Sequence, residues 1–245
     1  MPIVFNYHNV DPSWQACLQK ALATMDSHYL NHLYSNQDWL PGPEKIFNAF
    51  SLPLHKVKYV LFGESPYPRK QSANGYAFWD AAVQDIWSES GLAKSVNRAT
   101  SLRNIMKMLL VSEGALSPYQ TSQSDIAQIN KHSFVNNNHQ FFQNLLQHGF
   151  LLLNASLALQ TTPVRLDAKA WQPFLKYVLQ YLIQHNPTVE FILLGSIALE
   201  INKLIENPDI KKICAEHPYN VSFIHNPVIL NFFQPLHLLI DSQTA

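Results

Sequence analysis

Polar side chains that can do chemistry follow four apolar runs of the sequence, at the point where each run ends. The runs are VKYVLF (57–62), FLLLN (150–154), VEFILL (189–194) and VSFIH (221–225), and the side chains at their ends are Glu64 with Ser65, Asn154, Ser196 and His225. A carboxylate and an imidazole can transfer protons, and an amide can both donate and accept hydrogen bonds. These groups indicate a hydrolase or a binding site, with the substrate left open.

Helical patterns separate most of these runs, and this alternation predicts how the polar residues are positioned. Helical segments of roughly 10 to 15 residues between short β-rich runs are typical of parallel α/β proteins. In such a sheet the carboxyl ends of the strands lie at one edge, where the following loops converge. We therefore expect one domain over residues 1–245, a three-layer αβα sandwich around a central four-stranded, mainly parallel sheet.

Three helices and one loop are predicted outside these runs. An amphipathic pattern predicts a single helix across 11–36, begun by Asp11-Pro12. The segment SLRNIMKMLLVSEG (101–114) is expected to form a helix that ends at Gly114, and a last helix is predicted across FFQPLHLLIDSQ (232–243). The polar stretch 117–139 is expected to be a surface loop with little regular structure.

Each candidate residue also has a purely structural interpretation. Asn154 and Ser196 can cap helices that follow them, and Gly195 can simply permit a turn. His225 can be a hydrogen-bonded structural histidine, because the chain holds eleven histidines. Their shared position at one sheet edge favours a functional set over four separate structural roles.

Composition limits the classes of partner. The net charge is zero, so no overall field draws the protein to nucleic acid or to an anionic membrane. Residues 56–107 nevertheless hold eight of the seventeen basic residues against four acidic ones, which indicates either a local positive patch or scattered solubilising charge. The two cysteines are far apart, and no signal peptide or membrane span is evident, so we expect a soluble cytoplasmic protein.

Several common catalytic motifs are absent from the sequence. It has no Gly-x-Ser-x-Gly elbow, no phosphate-binding loop that ends in Lys-Ser or Lys-Thr, and no Gly-x-Gly-x-x-Gly after the first strand. The Cys and His spacing matches no zinc pattern. These absences argue against serine hydrolases, phosphate-loop enzymes, nicotinamide enzymes and zinc modules, and we expect neither a metal nor a cofactor.

Eight short segments occur in an order known from one family. They are LPGPEKIFNAF, VLFGESPYP, NGYAFWD, SLRNIMK, GFLLLNASLAL, AWQPF, FILLGS and HNPVI. In this order, over nearly the whole chain, they resemble the uracil-DNA glycosylase superfamily, and most closely the family of the common bacterial and human enzymes. The resemblance implies base excision repair of DNA, with uracil or a related deaminated base as the target.

The resemblance implies a role for each residue of a base pocket. Asn154 would pair with O4 and N3–H of uracil, and Phe78 would stack on the base once it has left the helix. The alternative for Phe78 is ordinary packing in the core. Tyr67 would stand against C5 and exclude the methyl group of thymine. His225 would donate a hydrogen bond to O2 as negative charge develops there.

The resemblance also implies contacts with DNA outside the pocket. Arg98, Ser101 and Ser196 would hold phosphates, which position a duplex without reading its sequence. Ile229 falls near the residue that would fill the space left in the helix by the flipped base, and the alternative for it is a packing contact between a strand and a helix. We expect single-stranded or duplex DNA as the partner of a monomeric protein.

The sequence departs from the family at the catalytic loop. Where the family has Gly-Gln-Asp-Pro-Tyr-His, this chain has Gly63-Glu64-Ser65-Pro66-Tyr67-Pro68. Ser65 takes the place of the aspartate that orients the attacking water, and a neutral hydroxyl cannot supply its negative charge. Other branches of the superfamily carry a catalytic Glu at the position of Glu64, so Glu64 is our candidate for the water-orienting group.

Two segments that contact DNA in the family are also altered. SVNRATS (95–101) replaces a proline run, and the intercalation loop after HNPVI is short. We therefore expect weaker engagement of duplex DNA. Three functions remain open: an active glycosylase, a catalytically impaired homologue that binds DNA or a protein partner, and a hydrolase of free nucleosides or RNA.

Overall fold

The computed structural model of the protein describes residues 5–36, 38–160 and 163–241. Its strands are β1 (Tyr59–Gly63), β2 (Trp87–Ser88), β3 (Gly91–Leu92), β4 (Phe150–Asn154), β5 (Glu190–Leu194) and β6 (Lys212–Ala215). Four of them form the main sheet in the order β4-β1-β5-β6, and β2 pairs with β3 in a small hairpin. The mixed α/β class with a central four-stranded sheet flanked by helices is confirmed.

The helices account for most of the remaining regular structure. They are α1 (Pro12–Leu22), α2 (Ser27–Ser35), α3 (Lys94–Arg98), α4 (Thr100–Ser112), α5 (Gln123–Ala127), α6 (Asn138–Gln147), α7 (Val164–His185), α8 (Ile197–Leu204) and α9 (Pro227–Phe233). Short 3-10 segments lie at Asn48–Ser51, Leu54–Lys56, Val221–His225 and Gln234–Leu236. No helix in the described part of the chain has the length and apolar character needed to cross a bilayer.

Strand β1 pairs in parallel with β4 on one side and with β5 on the other. Its register with β4 runs from Tyr59 opposite Phe150 to Gly63 opposite Asn154. Every residue of β4 is buried, as are four of the five in β1, which explains why both sequences are continuous apolar runs. The pairing places the ends of the two strands, and their polar residues, side by side.

Contacts divide the chain into two compact units. The first comprises the described parts of Met1–Asp80, Gly149–Leu193 and Ile197–Lys212, and the second those of Ala81–His148, Leu194–Ser196 and Ile213–Ala245. In the first unit, α1 and α7 pack together and bury Trp14, Trp171 and Phe174. In the second, α4 packs against the 3-10 segment Val221–His225 and against α9. The prediction of a single domain over residues 1–245 stays a prediction.

The predicted strand 221–225 is wrong. Val221–His225 is a 3-10 helix, and the fourth strand of the sheet is instead β6, which the sequence analysis did not identify. Val221 and Ser222 are exposed while Phe223 and Ile224 are both buried, so burial does not alternate as it does along a half-buried strand. A short run of β-branched and aromatic residues fits either structure, which is why periodicity alone misjudged it.

Two predicted helices also differ from the structure. The helix expected across 11–36 is two helices, because Asp26 accepts a hydrogen bond from the backbone N–H of Tyr29 and caps a new helix. The helix expected across 232–243 is largely absent: α9 begins earlier, at Pro227, and the chain leaves the helix at His237, whose φ is +47°. Residues 242 and 243 of that prediction lie outside the described residues.

Other predicted elements are confirmed with small shifts. Helix α4 covers most of 101–114, and Gly114 follows it with a φ of +72°. The polar stretch 117–139 is mostly irregular, although Ser122 and Asp125 form a capping box that starts the short α5.

Candidate functional site

Gly63 and Asn154 lie directly opposite each other at the ends of β1 and β4. A Cβ atom at position 63 would come within 2.5 Å of Asn154 Oδ1 and 3.0 Å of the Ala77 Cβ. Any side chain at position 63 would force the Asn154 amide to move and would crowd Ala77, so glycine permits the close approach seen here. Gly63 therefore makes room for the amide of Asn154.

Asn154 is a buried residue whose amide has no hydrogen-bond partner among the described residues. The residue is 4% exposed, and its side chain makes no hydrogen bond with any described part of the chain. Helix α7, which follows it, begins at Val164 after Pro163, so Asn154 does not cap that helix. Most polar side chains of buried residues have partners in the protein, and an amide without one is available to a ligand.

Backbone hydrogen bonds hold the loop that follows β1, whereas the carboxylate of Glu64 in this loop has no partner among the described residues. The carbonyl oxygens of Gly63 and Glu64 accept hydrogen bonds from the backbone N–H groups of Ala155 (2.9 Å) and Ser156 (3.0 Å). The Glu64 side chain is exposed and forms no hydrogen bond or ion pair within residues 5–36, 38–160 and 163–241. Ser65 is half-buried, and among the described residues its hydroxyl makes only a long 3.5 Å contact with the carbonyl of Pro66.

Tyr67 and Phe78 are joined by a hydrogen bond. The Tyr67 hydroxyl donates to the backbone carbonyl of Phe78 at 3.1 Å. Burial raises the pKa of Tyr67, and the charge of Asp80 raises it further against the opposing effect of Arg69, so the phenol stays neutral at physiological pH. Phe78 has a φ of +62°, a conformation that a bulky residue adopts only when its surroundings impose it.

An ion pair holds the far end of the same loop. The Arg69 guanidinium donates to the Asp80 carboxylate at 2.9 Å, with the carboxylate side chain 2% exposed and the arginine 58% exposed. Removing the arginine would leave a buried charge without this partner, which is costly. Arg69 and Asp80 therefore help to hold the loop segment that carries Tyr67 and Phe78.

His225 belongs to the second unit and ends the 3-10 segment Val221–His225. Its Nδ1 is buried and has no hydrogen-bond partner within the described residues. This differs from the fully hydrogen-bonded histidine that a structural role would predict.

Asn226 and Glu216 fix the turn around His225, and neither residue is among the predicted site residues. Asn226 Oδ1 accepts hydrogen bonds from the backbone N–H groups of Val228 (3.0 Å) and Ile229 (3.2 Å), and its Nδ2 donates to Glu216 at 2.6 Å. Burial raises the pKa of Glu216, but hydrogen bonds from Ser222, from its own backbone and from Asn226 outweigh this and hold the pKa below its usual value. The Asn-Pro pair at 226–227 is an N-cap signature from which this helix start could have been predicted.

The burial of Ile229 corrects its assignment as the residue that enters DNA. Its side chain is fully buried at 0% exposure, so it belongs to the core of the second unit. The neighbouring Val228 is 51% exposed. An apolar side chain can fill a gap in the base stack only if it is exposed on the protein surface. The side chain of Val228 meets this condition.

The residues assigned to phosphate contacts lie in the second unit. Arg98 is exposed at the end of α3, and Ser101 is half-buried in the first turn of α4. Ser196 is exposed before α8 and follows Gly195, whose φ is +68° and whose missing Cβ would lie 2.7 Å from the Cβ of His217. Within the described residues, no group of three or more His, Cys, Asp or Glu side chains could hold a metal ion.

Comparisons with known proteins support the resemblance to uracil-DNA glycosylases. No family model matches the chain. A uracil-DNA glycosylase of Streptococcus mutans is 30% identical over 216 residues, which cover 86% of this chain and 84% of the relative. A uracil-DNA glycosylase of Pseudomonas entomophila is 29% identical over 223 residues, which cover 87% and 82%.

A solved structure extends the likeness to the fold. The wild-type UNG crystal structure from Nitratifractor salsuginis is 38% identical and has a TM-score of 0.89, with 95% of this chain and 94% of the other covered. The mimivirus uracil-DNA glycosylase, at 18% identity and a TM-score of 0.58, shares the fold alone. The chain belongs to the uracil-DNA glycosylase family.

Proposed function

We propose that this protein hydrolyses the N-glycosidic bond between uracil and deoxyribose in DNA, as a glycosylase of base excision repair. The observation that carries the proposal is the amide of the buried residue Asn154, which has no partner within the described residues and lies against Gly63. Membership of the uracil-DNA glycosylase family supports the substrate class.

The target base is recognised after it leaves the stack. A glycosylase has to extrude the nucleotide and read its Watson–Crick edge in a closely fitting pocket. Asn154 offers one acceptor and one donor, which suit N3–H and O4 of uracil. Phe78 stacks on the ring, and Tyr67 blocks the position of the thymine methyl group. The hydrogen bond from Tyr67 to the Phe78 carbonyl supports this pairing, since it couples the two aromatic residues.

Hydrolysis requires a negative charge near the sugar and a donor near the base. Glu64 orients the attacking water and stabilises positive charge on the deoxyribose, whereas the neutral Ser65 cannot. The lack of a competing partner for Glu64 in the described residues supports this role. His225 donates to uracil O2 as negative charge develops, a contribution of about 3 kcal/mol by analogy with oxyanion-hole donors.

Contacts outside the pocket position the DNA. Arg98, Ser101 and Ser196 bind phosphates, and Val228, rather than the buried Ile229, enters the base stack. The chemistry uses protein side chains and water and needs no cofactor. A monomeric state and a cytoplasmic location remain predictions from the sequence.

The alternative of a homologue that binds without cleaving rests on Ser65 at the position of the catalytic aspartate. The unpaired Glu64 carboxylate one residue earlier favours hydrolysis instead. A panel of substrates separates these functions. We would measure free uracil by chromatography, under single-turnover conditions, from single-stranded and duplex DNA with one uracil, from matched thymine DNA, from RNA and from free deoxyuridine.

We expect uracil release from both DNA forms, more slowly from the duplex, and no release of thymine, of uracil from RNA or of uracil from the nucleoside. Binding of uracil DNA without release would support the non-cleaving alternative. Release from RNA or deoxyuridine at the rate found for DNA would overturn the assignment of DNA as the substrate.

A further inference from the structure

An exposed tyrosine stacks on the imidazole of His225. The rings of Tyr119 and His225 have centroids 5.5 Å apart and planes inclined by 29°. This separation lies within the range of offset-stacked aromatic pairs, about 4.5 to 7 Å. Both residues belong to the second unit.

Tyr119 is not a core residue. It is 89% exposed, so burial of apolar area does not explain its position. A turn presents it: the carbonyl of Ser117 accepts a hydrogen bond from the backbone N–H of Gln120 at 3.0 Å, with Pro118 between Ser117 and Tyr119. Proline at the second position makes such a turn stiff. The turn therefore holds a solvent-exposed ring against His225.

The imidazole lacks the contact that usually orients a functional histidine. In most such residues, one ring nitrogen is held by a hydrogen bond while the other acts on the ligand. His225 Nδ1 is buried and has no such partner in the described part of the chain. Within the described residues, stacking on Tyr119 is thus the side-chain contact that restricts rotation of the ring.

We propose that Tyr119 is a positioning residue that acts through His225. Its ring covers one face of the imidazole and keeps the donor nitrogen in the orientation that meets the developing charge on the base. The inference rests on the proposed glycosylase function. Tyr119 lies in the polar surface stretch 117–139, and no residue of this stretch was assigned to the base pocket described above.

Kinetics of three variants test the inference. We expect Tyr119→Leu to lower the single-turnover rate on single-stranded uracil DNA about two- to tenfold, the range that aromatic stacking provides. Tyr119→Phe keeps the ring and should keep the rate, and the apparent affinity for DNA should not change in either variant. Tyr219→Leu is the matched control, because Tyr219 is also an exposed tyrosine of the second unit, at 67%.

A double-mutant cycle with His225→Ala shows whether Tyr119 acts through the imidazole. The inference requires that Tyr119→Leu cause no further loss once His225 is removed. An equal loss in both backgrounds would overturn it, and so would wild-type activity of Tyr119→Leu. A loss confined to DNA affinity would overturn it as well, because Tyr119 would then be a DNA contact.

A spectroscopic measurement separates this inference from the proposed function. The carbon-bound ring protons of His225 should show ring-current shifts in wild type and Tyr119→Phe that disappear in Tyr119→Leu. An inactive wild-type protein would contradict the proposed function. The ring-current shifts of His225 would still show whether Tyr119 stacks on the imidazole. Unchanged His225 resonances in Tyr119→Leu would overturn the inference whatever the activity.

Discussion

The oxygen of the Asn154 side chain occupies the space that a side chain at Gly63 would need. The two residues are paired across β1 and β4, and a Cβ at position 63 would lie 2.5 Å from Asn154 Oδ1. Parallel pairing thus places an amide without a partner in the described residues at the sheet edge where α/β proteins bind ligands. This relationship connects the fold to the proposed recognition of uracil and yields two predictions.

Asn154→Leu should separate function from stability. Asn154 is a buried residue and its amide has no partner in the described residues, so its removal takes away no protein hydrogen bond and leaves the free energy of unfolding unchanged or increased. The single-turnover rate on uracil DNA should fall at least about 100-fold, since a polar site discriminates strongly through its buried hydrogen-bonding groups. Urea unfolding and the glycosylase assay measure the two effects. A marked loss of stability would instead indicate a structural asparagine.

Gly63→Ala should impair the site by steric conflict. The new methyl group would collide with Asn154 Oδ1 and with Ala77, and we expect a loss of about 1 to 3 kcal/mol in stability together with a lower rate of uracil release. Gly114→Ala provides a control, because a Cβ there meets nothing within 4 Å and the change costs only backbone strain at a φ of +72°. If both variants released uracil at the wild-type rate, the close approach at Gly63 would have no role in the site.

Val228 and Ile229 should respond in opposite ways to truncation. Ile229→Ala removes a fully buried side chain and should cost about 2 to 5 kcal/mol of stability. Val228→Ala should leave stability within about 0.5 kcal/mol and lower the rate on duplex DNA more than on single-stranded DNA. Thermal unfolding and paired assays on the two DNA forms test this. Equal effects of Val228→Ala on both DNA forms would argue against its entry into the base stack.

The sequence predicted the parts of the site that depend on local pattern. Continuous apolar runs identified β1 and β4, and the residue types at their ends identified Glu64 and Asn154. The element that carries His225 was misassigned, because a short apolar run does not distinguish a strand from a 3-10 turn. The burial of Ile229 and the stacking of Tyr119 depend on packing between segments distant in sequence, which no local pattern reports.

Glu216→Gln should give a stability difference that depends on pH. The folded protein holds the pKa of Glu216 below its usual value. The ionised carboxylate therefore stabilises the fold at any pH above the usual pKa of a glutamate, and this contribution disappears as the pH falls through the lowered pKa. At pH 7 we expect a loss of about 1 kcal/mol, modest because water still reaches the carboxylate. Thermal unfolding at pH 7 and near pH 3 provides the comparison. A difference that persists unchanged at the lower pH would contradict the role of the charged form.

The most direct test of the account is the rate of uracil release by Glu64→Gln under single-turnover conditions on single-stranded uracil DNA. Glu89→Gln is the matched control, because Glu89 is also an exposed glutamate with no ion pair among the described residues. If Glu64 orients the attacking water, Glu64→Gln should lose at least about 100-fold in rate while Glu89→Gln retains the wild-type rate. Wild-type activity in Glu64→Gln would contradict the account, and so would an inactive wild type that gains activity through Ser65→Asp.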